Sequence, residues 1–356
     1  MTEAGYSYGE VWTPPRLLRI ESDGGATTVA VGSRNGPWNG VAYHDGAFYV
    51  AEGGELEGGA ILRIMPDGEV ARLIADLPSR GDHHPNGPVI GPDGWLYFGQ
   101  GTATNSGIVG EDNARMGWLG RFPEFHDRPC RDVTLRGRNF TTPDPLVSGE
   151  TVTTGAFSPL GQPTDEGQVI RGAVPCSGAI LRIRPEGGEP ELVAWGLRNL
   201  FGLAFSPDGW LFATDNGYDE RGSRQIFGAG DLLWAIEPGR WYGWPDFHGD
   251  HPLDADGRYR PPDGRAPEPL LLEHPGTPPR PAAVLGVHAS ANGFDFSRNP
   301  AFGHVGKAFV AEFGDQAPST GKVLSPVGAK VVRVDVTTGV VEDFAVNRGP
   351  VHGPAS

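Results

Sequence analysis

Short runs that alternate apolar and polar residues recur along the chain and are separated by turn residues. In the first recurring unit, an apolar run passes through a turn, most often of the Asp-Gly type, into a second apolar run. Four copies begin at Asn39, Asn86, Phe201 and Asn292: NGVAYHDGAFYVAEGG, NGPVIGPDGWLYFGQG, FGLAFSPDGWLFATDNG and NGFDFSRNPAFGHVGKAFVAEFG. A period of two indicates strands, and Asp-Gly accepts the positive φ of a tight hairpin. The pattern therefore predicts four hairpins of one type.

A second recurring unit reads apolar-Arg-apolar or a close variant and is followed by a polar turn. Its five copies are LLRIESDGG, ILRIMPDGE, ILRIRPEGG, WAIEPGRW and VVRVDVTTG. One hairpin of each type in succession gives a four-stranded antiparallel sheet of about 40–50 residues, which is the blade of a propeller. The repeats predict an all-β protein, a six-bladed β-propeller that forms one domain over residues 1–356. The chain opens with a second-type hairpin near Leu17, and no first-type hairpin follows VVRVDVTTG. The last blade is therefore expected to lack its inner strands, unless these follow in a longer parent chain.

Two segments interrupt this rhythm. Residues 102–175 carry few strand signals, and residues 246–283 are rich in Pro, Asp and Gly, so both are interpreted as long loop insertions. Loops of this length usually cover or form a binding site, although a purely decorative surface is the alternative. Cys130 and Cys176 could form a disulfide across the first insertion or remain as two reduced, packed thiols.

Composition and charge narrow the range of partners. The formal net charge of −15 would repel phosphates, which excludes nucleic acid and favours a neutral small molecule or a cation. No apolar run approaches the roughly 20 residues of a membrane span, so no membrane insertion is expected. The first residues, MTEAGYSYGEVW, lack the basic start and apolar stretch of a signal peptide. A cytoplasmic protein and one whose leader has been removed both fit.

The first candidate site is GDHHPNGP at residues 81–88, where a first-type hairpin begins. Innermost strands line the channel of a propeller, so Asp82, His83 and His84 are expected near its mouth. Imidazole and carboxyl groups can hold or move a proton near neutral pH. The alternative is a polar turn whose histidines only cap strands.

The second candidate site lies within residues 196–231, which begin GLRN. Arg198 and Asn199 precede an inner strand, and a guanidinium beside a carboxamide suits a polyanionic ligand. Side-chain oxygens that can bind a metal are plentiful nearby. Together with glycine-flanked backbone carbonyls they suit a hard cation such as Ca²⁺. These side chains are Asp215, Asn216, Asp219 and Asp231. An Asx-rich surface turn is the alternative.

Three blocks resemble the soluble pyrroloquinoline quinone (PQQ)-dependent sugar dehydrogenases of the glucose/sorbosone dehydrogenase type: GDHHPNGPVIGPDGWLYFGQGT, GLRNLFGLAFSPDGWLF and WYGWPDF. The resemblance covers roughly Leu17 to Asp343, apart from the insertions. Members of the family are six-bladed propellers that oxidise aldoses or related sugars at C1. The resemblance therefore implies a sugar substrate, PQQ and Ca²⁺ as cofactors, and a cytochrome or quinone as electron acceptor. It also implies a periplasmic or secreted location.

The resemblance also implies individual roles. His83, rather than His84, would be the general base for the C1 hydroxyl, and Asp82 would contact the sugar. Arg198, Asn199 and a late lysine, Lys330 or Lys322, would bind the quinone. Ca²⁺ would be held at Gly217 and Tyr218, through their carbonyls, and at Asp231.

The chain departs from the family at two places near these residues. Thr102 stands where the family often has an aspartate that supports the base. Leu232, Leu233 and Trp234 follow Asp231, where the family commonly continues Glu-x-Asn.

Three other functions fit a propeller of this kind. A Ca²⁺-dependent lactonase or esterase would use Glu52, Asn86, Asn199 and Asp215 around a metal. A binding propeller would have no catalytic residues. A sugar lyase or dehydratase would use His83 as base without a quinone.

Overall fold

Antiparallel strands form almost all of the regular structure. A computed structural model describes residues 1–5, 13–54, 57–115, 117–262, 264–315 and 327–347. Within these residues the elements are, in chain order, β1 (Thr2–Glu3), β2 (Arg16–Ile20), β3 (Ala26–Val31), β4 (Trp38–His44), β5 (Ala47–Glu52), β6 (Gly59–Ile64), β7 (Val70–Leu77), β8 (Pro85–Ile90), β9 (Leu96–Gln100), α1 (Glu111–Arg115), α2 (Trp118–Arg121), β10 (Val133–Arg136), β11 (Asn139–Pro143), β12 (Thr151–Gly155), β13 (Glu166–Ile170), β14 (Ala179–Ile183), β15 (Glu191–Trp195), β16 (Asn199–Phe205), β17 (Leu211–Asn216), β18 (Gly230–Ala235), β19 (Phe247–His248), β20 (His251–Pro252), β21 (Ala283–Val287), β22 (Ala291–Phe296), β23 (Ala308–Glu312), β24 (Lys330–Asp335) and β25 (Val340–Val346).

Five of the sheets formed by the described residues are arranged as propeller blades. Blade 1 has the order β1-β2-β3, blade 2 β4-β5-β6-β7, blade 3 β8-β9-β14-β15, blade 4 β16-β17-β18-β21 and blade 5 β22-β23-β24-β25. The first strands of blades 2 to 5 contact one another in succession, β4 with β8, β8 with β16, and β16 with β22. The all-β propeller with four-stranded antiparallel blades is thereby confirmed for blades 2 to 5.

The predicted number of six blades is wrong for the described residues. Each second-type motif marks one sheet, and the sequence contains five such motifs. The sixth blade was inferred by completing a ring and corresponds to no motif. The blade expected to be incomplete contains the second-type hairpin near Leu17. That hairpin lies in the three-stranded sheet, blade 1, whereas blade 5 has four strands.

Glycines in the inner hairpins let neighbouring blades approach closely. A Cβ atom on Gly99 of β9 would lie 2.8 Å from the Cβ of Leu200 in β16. A Cβ on Gly87 of β8, whose φ is +84°, would lie 2.8 Å from Cδ1 of Leu203. Both leucines are buried. Larger residues would push blades 3 and 4 apart, and the candidate site lies at the junction of these two blades.

Both insertions contain more structure than the sequence patterns indicate. Residues 101–178, between β9 and β14, hold α1, α2 and the strand pairs β10–β13 and β11–β12. Cys130 and Cys176 form a disulfide across this segment, with their Cα atoms 5.0 Å apart. The segment between β18 and β21 contacts it, since Arg136 donates to the carbonyl of Leu270 over 2.9 Å. Among the described residues, no helix is long and apolar enough to cross a membrane.

Candidate active site

The two candidate blocks meet where blades 3 and 4 join. The backbone N–H of His83 donates to the carbonyl of Thr102 over 3.1 Å, and the N–H of Thr102 donates to the carbonyl of Arg198 over 2.9 Å. The residue that follows the inner hairpin of blade 3 therefore touches both blocks. The structure brings His83 and Arg198 to the same place, on either side of Thr102.

The ring of His83 is held in one tautomer. Its Nδ1 lies 3.0 Å from both the carbonyl oxygen and Oγ1 of Thr102. The Thr102 hydroxyl donates its own proton to the carbonyl of Thr104 over 2.7 Å. Both Thr102 oxygens can therefore only accept, so Nδ1 carries the proton and Nε2 carries the lone pair. Within the part of the chain that the structure describes, Nε2 has no hydrogen-bond partner.

His83 is neutral at physiological pH. Burial lowers its pKa well below the usual value, and the nearby guanidinium groups of Arg198 and Arg221 lower it further. His83 is 6% exposed. A neutral, buried imidazole with a lone pair on Nε2 can take a proton from a bound ligand.

Arg221 is the centre of a buried ion-pair network. Its Nη2 lies 2.6 Å from Oδ2 of Asp82, and its Nη1 lies 2.5 Å from Oδ2 of Asp112 in α1. Its Nε and Nη2 lie 3.0 and 2.9 Å from Oδ2 of Asp219. One guanidinium thereby joins the residue before His83, the first insertion and the loop after β17.

Arg198 is bound within the protein. Its Nη2 lies 2.8 Å from Oδ2 of Asp219 and 2.9 Å from Oδ1 of Asn105. Its Nε donates to the carbonyl of Asn105 over 3.0 Å, and its Nη1 donates to the carbonyl of Asn216 over 3.2 Å. Because a guanidinium has five N–H donors, one N–H on Nη1 is left for a ligand.

Charges in this network nearly balance. Burial raises the pKa of Asp82 to about 6, against the lowering effect of Arg221. Burial also acts to raise the pKa of Asp219, but Arg198 and Arg221 outweigh it and the pKa lies below its usual value. With Asp112, three carboxyl groups face two guanidinium groups, so the network provides no strong excess of positive charge.

Most of the other side-chain oxygens predicted as metal ligands accept hydrogen bonds from backbone N–H groups. Asp215 accepts hydrogen bonds from the N–H of Asn199 over 2.7 Å, from the N–H of Arg198 and from the Trp234 indole. Burial raises its pKa to about 6. Asp231 accepts from the N–H of Gly217 over 2.9 Å, from the N–H of Ala291 and from the side chain of Asn216.

A different pair of oxygens, the backbone carbonyls of Gly217 and Tyr218, is left without a hydrogen-bond donor among the described residues. Two adjacent, uncommitted carbonyls are the hard oxygen ligands that Ca²⁺ accepts. Asp231 fits less well, because N–H donors already cover both of its carboxyl oxygens. The described part of the chain groups no three His, Cys, Asp or Glu side chains as a metal site.

Lys330 lies at the start of β24, in blade 5. Its Nζ is 2.7 Å from Oδ1 of Asp343 and 3.9 Å from Oε2 of Glu312. Burial raises the pKa of Glu312 to about 7, and the charge of Asp231 adds to this effect. The N–H of Ala291 donates to Asp231, and Ala291, Glu312 and Lys330 are neighbours across β22, β23 and β24. Lys330 therefore lies near Asp231 at this end of the blade 5 strands, here called the rim of blade 5. Lys322, the other candidate lysine, lies outside the described residues.

Two of the four residues expected for a lactonase metal, Glu52 and Asp215, are engaged elsewhere. Glu52 accepts hydrogen bonds from Asn35, from the Trp38 indole and from Arg72. The amide of Asn86 donates to the carbonyls of His84 and Leu200. Asp215 also binds backbone N–H groups, so both carboxylates of this set are committed. The Oδ1 of Asn86 is buried without a hydrogen-bond partner among the described residues, and the side-chain hydrogen bond of Asn199 uses its Nδ2, so the two amide oxygens stay available to a ligand.

Sequence reasoning missed four residues of the site: Arg221, Asn105, Asp112 and Asp127. Arg221 lies inside the second candidate block, and the spacing Asp-Glu-Arg at 219–221 was a usable signal. The other three come from the first insertion, where no repeat fixes their position. Asp127 binds the N–H of Ala103 over 2.6 Å and the hydroxyl of Thr104 over 2.5 Å.

Comparison with solved structures identifies the fold. No family model and no curated protein matches the sequence. A glucose dehydrogenase is similar at 18% identity and a TM-score of 0.50, over 93% of this chain and 80% of that one. The holo PQQ domain of pyranose dehydrogenase from Coprinopsis cinerea is similar at 12% identity and a TM-score of 0.51, over 94% and 77%. The predicted resemblance is confirmed for the fold.

A gluconolactonase from Xanthomonas campestris is also found. It is 15% identical to this chain, with a TM-score of 0.43 over 95% of this chain and 72% of that one. Propellers host unrelated activities, so the choice of function depends on the residues of the site.

Proposed function

We propose that this protein oxidises an aldose or a related sugar at C1, with PQQ and Ca²⁺ as cofactors and His83 as general base. The observation that carries the proposal is the hydrogen-bond pattern of His83. Thr102 fixes the proton on Nδ1, which leaves Nε2 to accept the proton of the C1 hydroxyl. The shared fold with the PQQ domain of pyranose dehydrogenase supports it.

The surroundings of His83 keep it in the form that a base needs. Its low pKa makes it a weaker base but leaves it unprotonated, and the same positive neighbours promote release of the proton after transfer. Asp82 is held by Arg221 at 2.6 Å beside His83. In this proposal the Asp82 carboxyl contacts the sugar next to the reacting hydroxyl.

The cofactor-binding residues are assigned from the N–H groups and carbonyl oxygens that hydrogen bonds within the protein leave available. PQQ, when bound, supplies the hydride acceptor, and Ca²⁺ acts as a Lewis acid on it. Lys330, Asn199 and the remaining N–H of Arg198 would hold the carboxylates of the quinone. The carbonyls of Gly217 and Tyr218 would hold the cation. An external electron acceptor, such as a cytochrome or a quinone, would reoxidise the cofactor.

The test is a titration of the apo-protein with PQQ, with and without Ca²⁺, followed by dye reduction with a panel of aldoses. We expect Ca²⁺-dependent binding at micromolar quinone and reduction of the dye with at least one sugar. His83→Gln should still bind the quinone, while turnover falls about 10²–10⁴-fold through loss of the base.

The alternative outcomes separate the rival functions. Without quinone binding, the dehydrogenase proposal fails. Hydrolysis of sugar lactones that requires Ca²⁺ and His83 would then assign a hydrolase. Sugar binding without any turnover would assign a binding propeller.

A further inference from the structure

The loop after β9 holds both residues of the Asp82–His83 pair. The N–H of Asp82 donates to the carbonyl of Ala103 over 3.0 Å, and the N–H of His83 donates to the carbonyl of Thr102 over 3.1 Å. Nδ1 of His83 contacts the same Thr102 carbonyl and the Thr102 hydroxyl. The position of residues 102–104 therefore decides where the imidazole lies and which nitrogen carries its proton.

Asp127 holds this loop from the opposite side. Its Oδ1 accepts from the N–H of Ala103, and its Oδ2 accepts from the hydroxyl of Thr104. Asp127 is 1% exposed, so these two bonds replace the water that the carboxyl group loses on burial. The carbonyl of Thr104 in turn accepts the hydrogen bond that the Thr102 hydroxyl donates. One carboxyl group thus fixes the loop that orients the base.

The first insertion anchors Asp127 firmly. The next residue, Arg128, exchanges two hydrogen bonds with Ser177, at 3.1 Å through the Ser177 hydroxyl and 2.8 Å through the backbone. The Cys130–Cys176 disulfide lies two residues further along the chain from Arg128. Ser177 lies just before β14, so Asp127 is fixed to the framework of blade 3.

We infer that Asp127 is a positioning residue for His83, which acts through Thr104 and Thr102 to keep the proton on Nδ1. The inference depends on the proposed role of His83 as base, but the tautomer itself is independent of any reaction. Removal of both contacts lets residues 102–104 shift and lets the imidazole exchange its proton between Nδ1 and Nε2. Misplacement of a reacting group by about 1 Å costs on the order of 10²-fold in rate.

The experiment uses the apo-protein labelled with ¹⁵N at histidine, and His83→Gln assigns the His83 signals. Long-range ¹H–¹⁵N spectra then report which ring nitrogen carries the proton. The wild type should show the Nδ1–H form. Asp127→Ala should give mixed tautomers and lower kcat about 10- to 100-fold, with KM nearly unchanged. Asp127→Asn keeps an oxygen for the Ala103 N–H, so it should recover most of the Nδ1–H form.

Asp132→Asn is the matched control. Asp132 lies in the same insertion, about half exposed, and binds Arg171 and the N–H of Gly172 without touching residues 102–104. This variant should leave the tautomer and kcat unchanged. If Asp127→Ala fails to fold, Thr104→Val removes one of the two contacts and should shift the tautomer in the same direction.

Two results would overturn the inference. In the first, Asp127→Ala keeps the wild-type tautomer and kcat. In the second, Asp127→Ala and Asp127→Asn lose activity equally with His83 still in the Nδ1–H form, which is the result of a structural role alone. A shifted tautomer in a protein whose wild type turns over no sugar would leave the inference standing and reject the proposed function.

Discussion

The junction of blades 3 and 4 and the rim of blade 5 are built from the same hairpin repeats. Their basic side chains differ in how deeply they are buried and in how many partners they have. The last residue of the second strand faces the first residue of the inner strand in both, Asn216 with Asn199 and Glu312 with Ala291. At the junction, Arg198 and Arg221 are buried, and each makes four hydrogen bonds. At the blade 5 rim, the side chain of Lys330 is 27% exposed.

The first insertion accounts for this difference. Asn105, Asp112 and Asp127 all belong to it, and they supply partners for Arg198, for Arg221 and for the loop beside His83. Blade 5 has no such segment packed over Lys330 among the described residues. The hairpin repeats position the basic residues at both places. The first insertion then covers the junction of blades 3 and 4 and turns it into a buried polar network.

Arg221→Met should have the largest effect on stability. It leaves Asp82, Asp112 and Asp219 buried without their shared cation, and breaking a buried ion pair from one side costs about 3–5 kcal/mol. Thermal unfolding at neutral pH measures the loss as a large decrease in Tm. A decrease no greater than that of Lys330→Met, the matched change on blade 5, would show that the network contributes little and would remove the contrast.

The hairpins and the meeting of His83 with Arg198 could be predicted because each residue stands at the start of an inner strand. That position is read directly from the repeat. Arg221 and Asp112 are 109 positions apart and are joined only through the insertion, which has no repeat to fix its register. The predicted site residues were therefore those that the propeller itself positions.

Thr102 shows a second limit of the sequence. Its place after the inner hairpin was evident, but its effect on His83 depends on where its hydroxyl proton goes. The Thr102 carbonyl can only accept from His83, and the contact of the Thr102 hydroxyl with the carbonyl of Thr104 shows that the hydroxyl accepts from His83 as well. The number of blades was wrong for a different reason, since ring closure was assumed rather than read from a motif.

The pH dependence of stability should also distinguish the two regions. Burial raises the pKa of Asp127 to about 7, above the roughly 3.9 of an unfolded aspartate. A carboxyl whose folded pKa is raised takes up a proton on folding. Its contribution to stability is therefore fully present below pH 4 and is lost as the pH rises towards 7. Asp127→Asn cannot titrate, so its stability should vary less between pH 4 and 7, by up to about 4 kcal/mol for this rise in pKa.

Asp132→Asn is the control for this measurement. A backbone N–H, that of Gly172, and then Arg171 lower the pKa of the exposed Asp132 carboxyl, so its contribution is lost only as the pH falls below about 4. Tm measured from pH 4 to 7 should run parallel for Asp132→Asn and the wild type and flatter for Asp127→Asn. Parallel curves for all three proteins would show that Asp127 titrates normally and would weaken the comparison.

Lys330→Met should change stability least and quinone binding most clearly. The ion pair with Asp343 is partly exposed, and pairs of this kind contribute about 0–1 kcal/mol, so Tm should hardly move. For the same reason Lys330 can leave Asp343 at little cost and turn to a carboxylate of the quinone, whereas Arg198 is held by four buried contacts. Loss of one charge-assisted hydrogen bond of about 1.5–3 kcal/mol should raise the Kd for PQQ by roughly 10- to 150-fold in the apo-protein titration. An unchanged Kd would place the quinone carboxylates away from blade 5, with only the buried junction left to hold them.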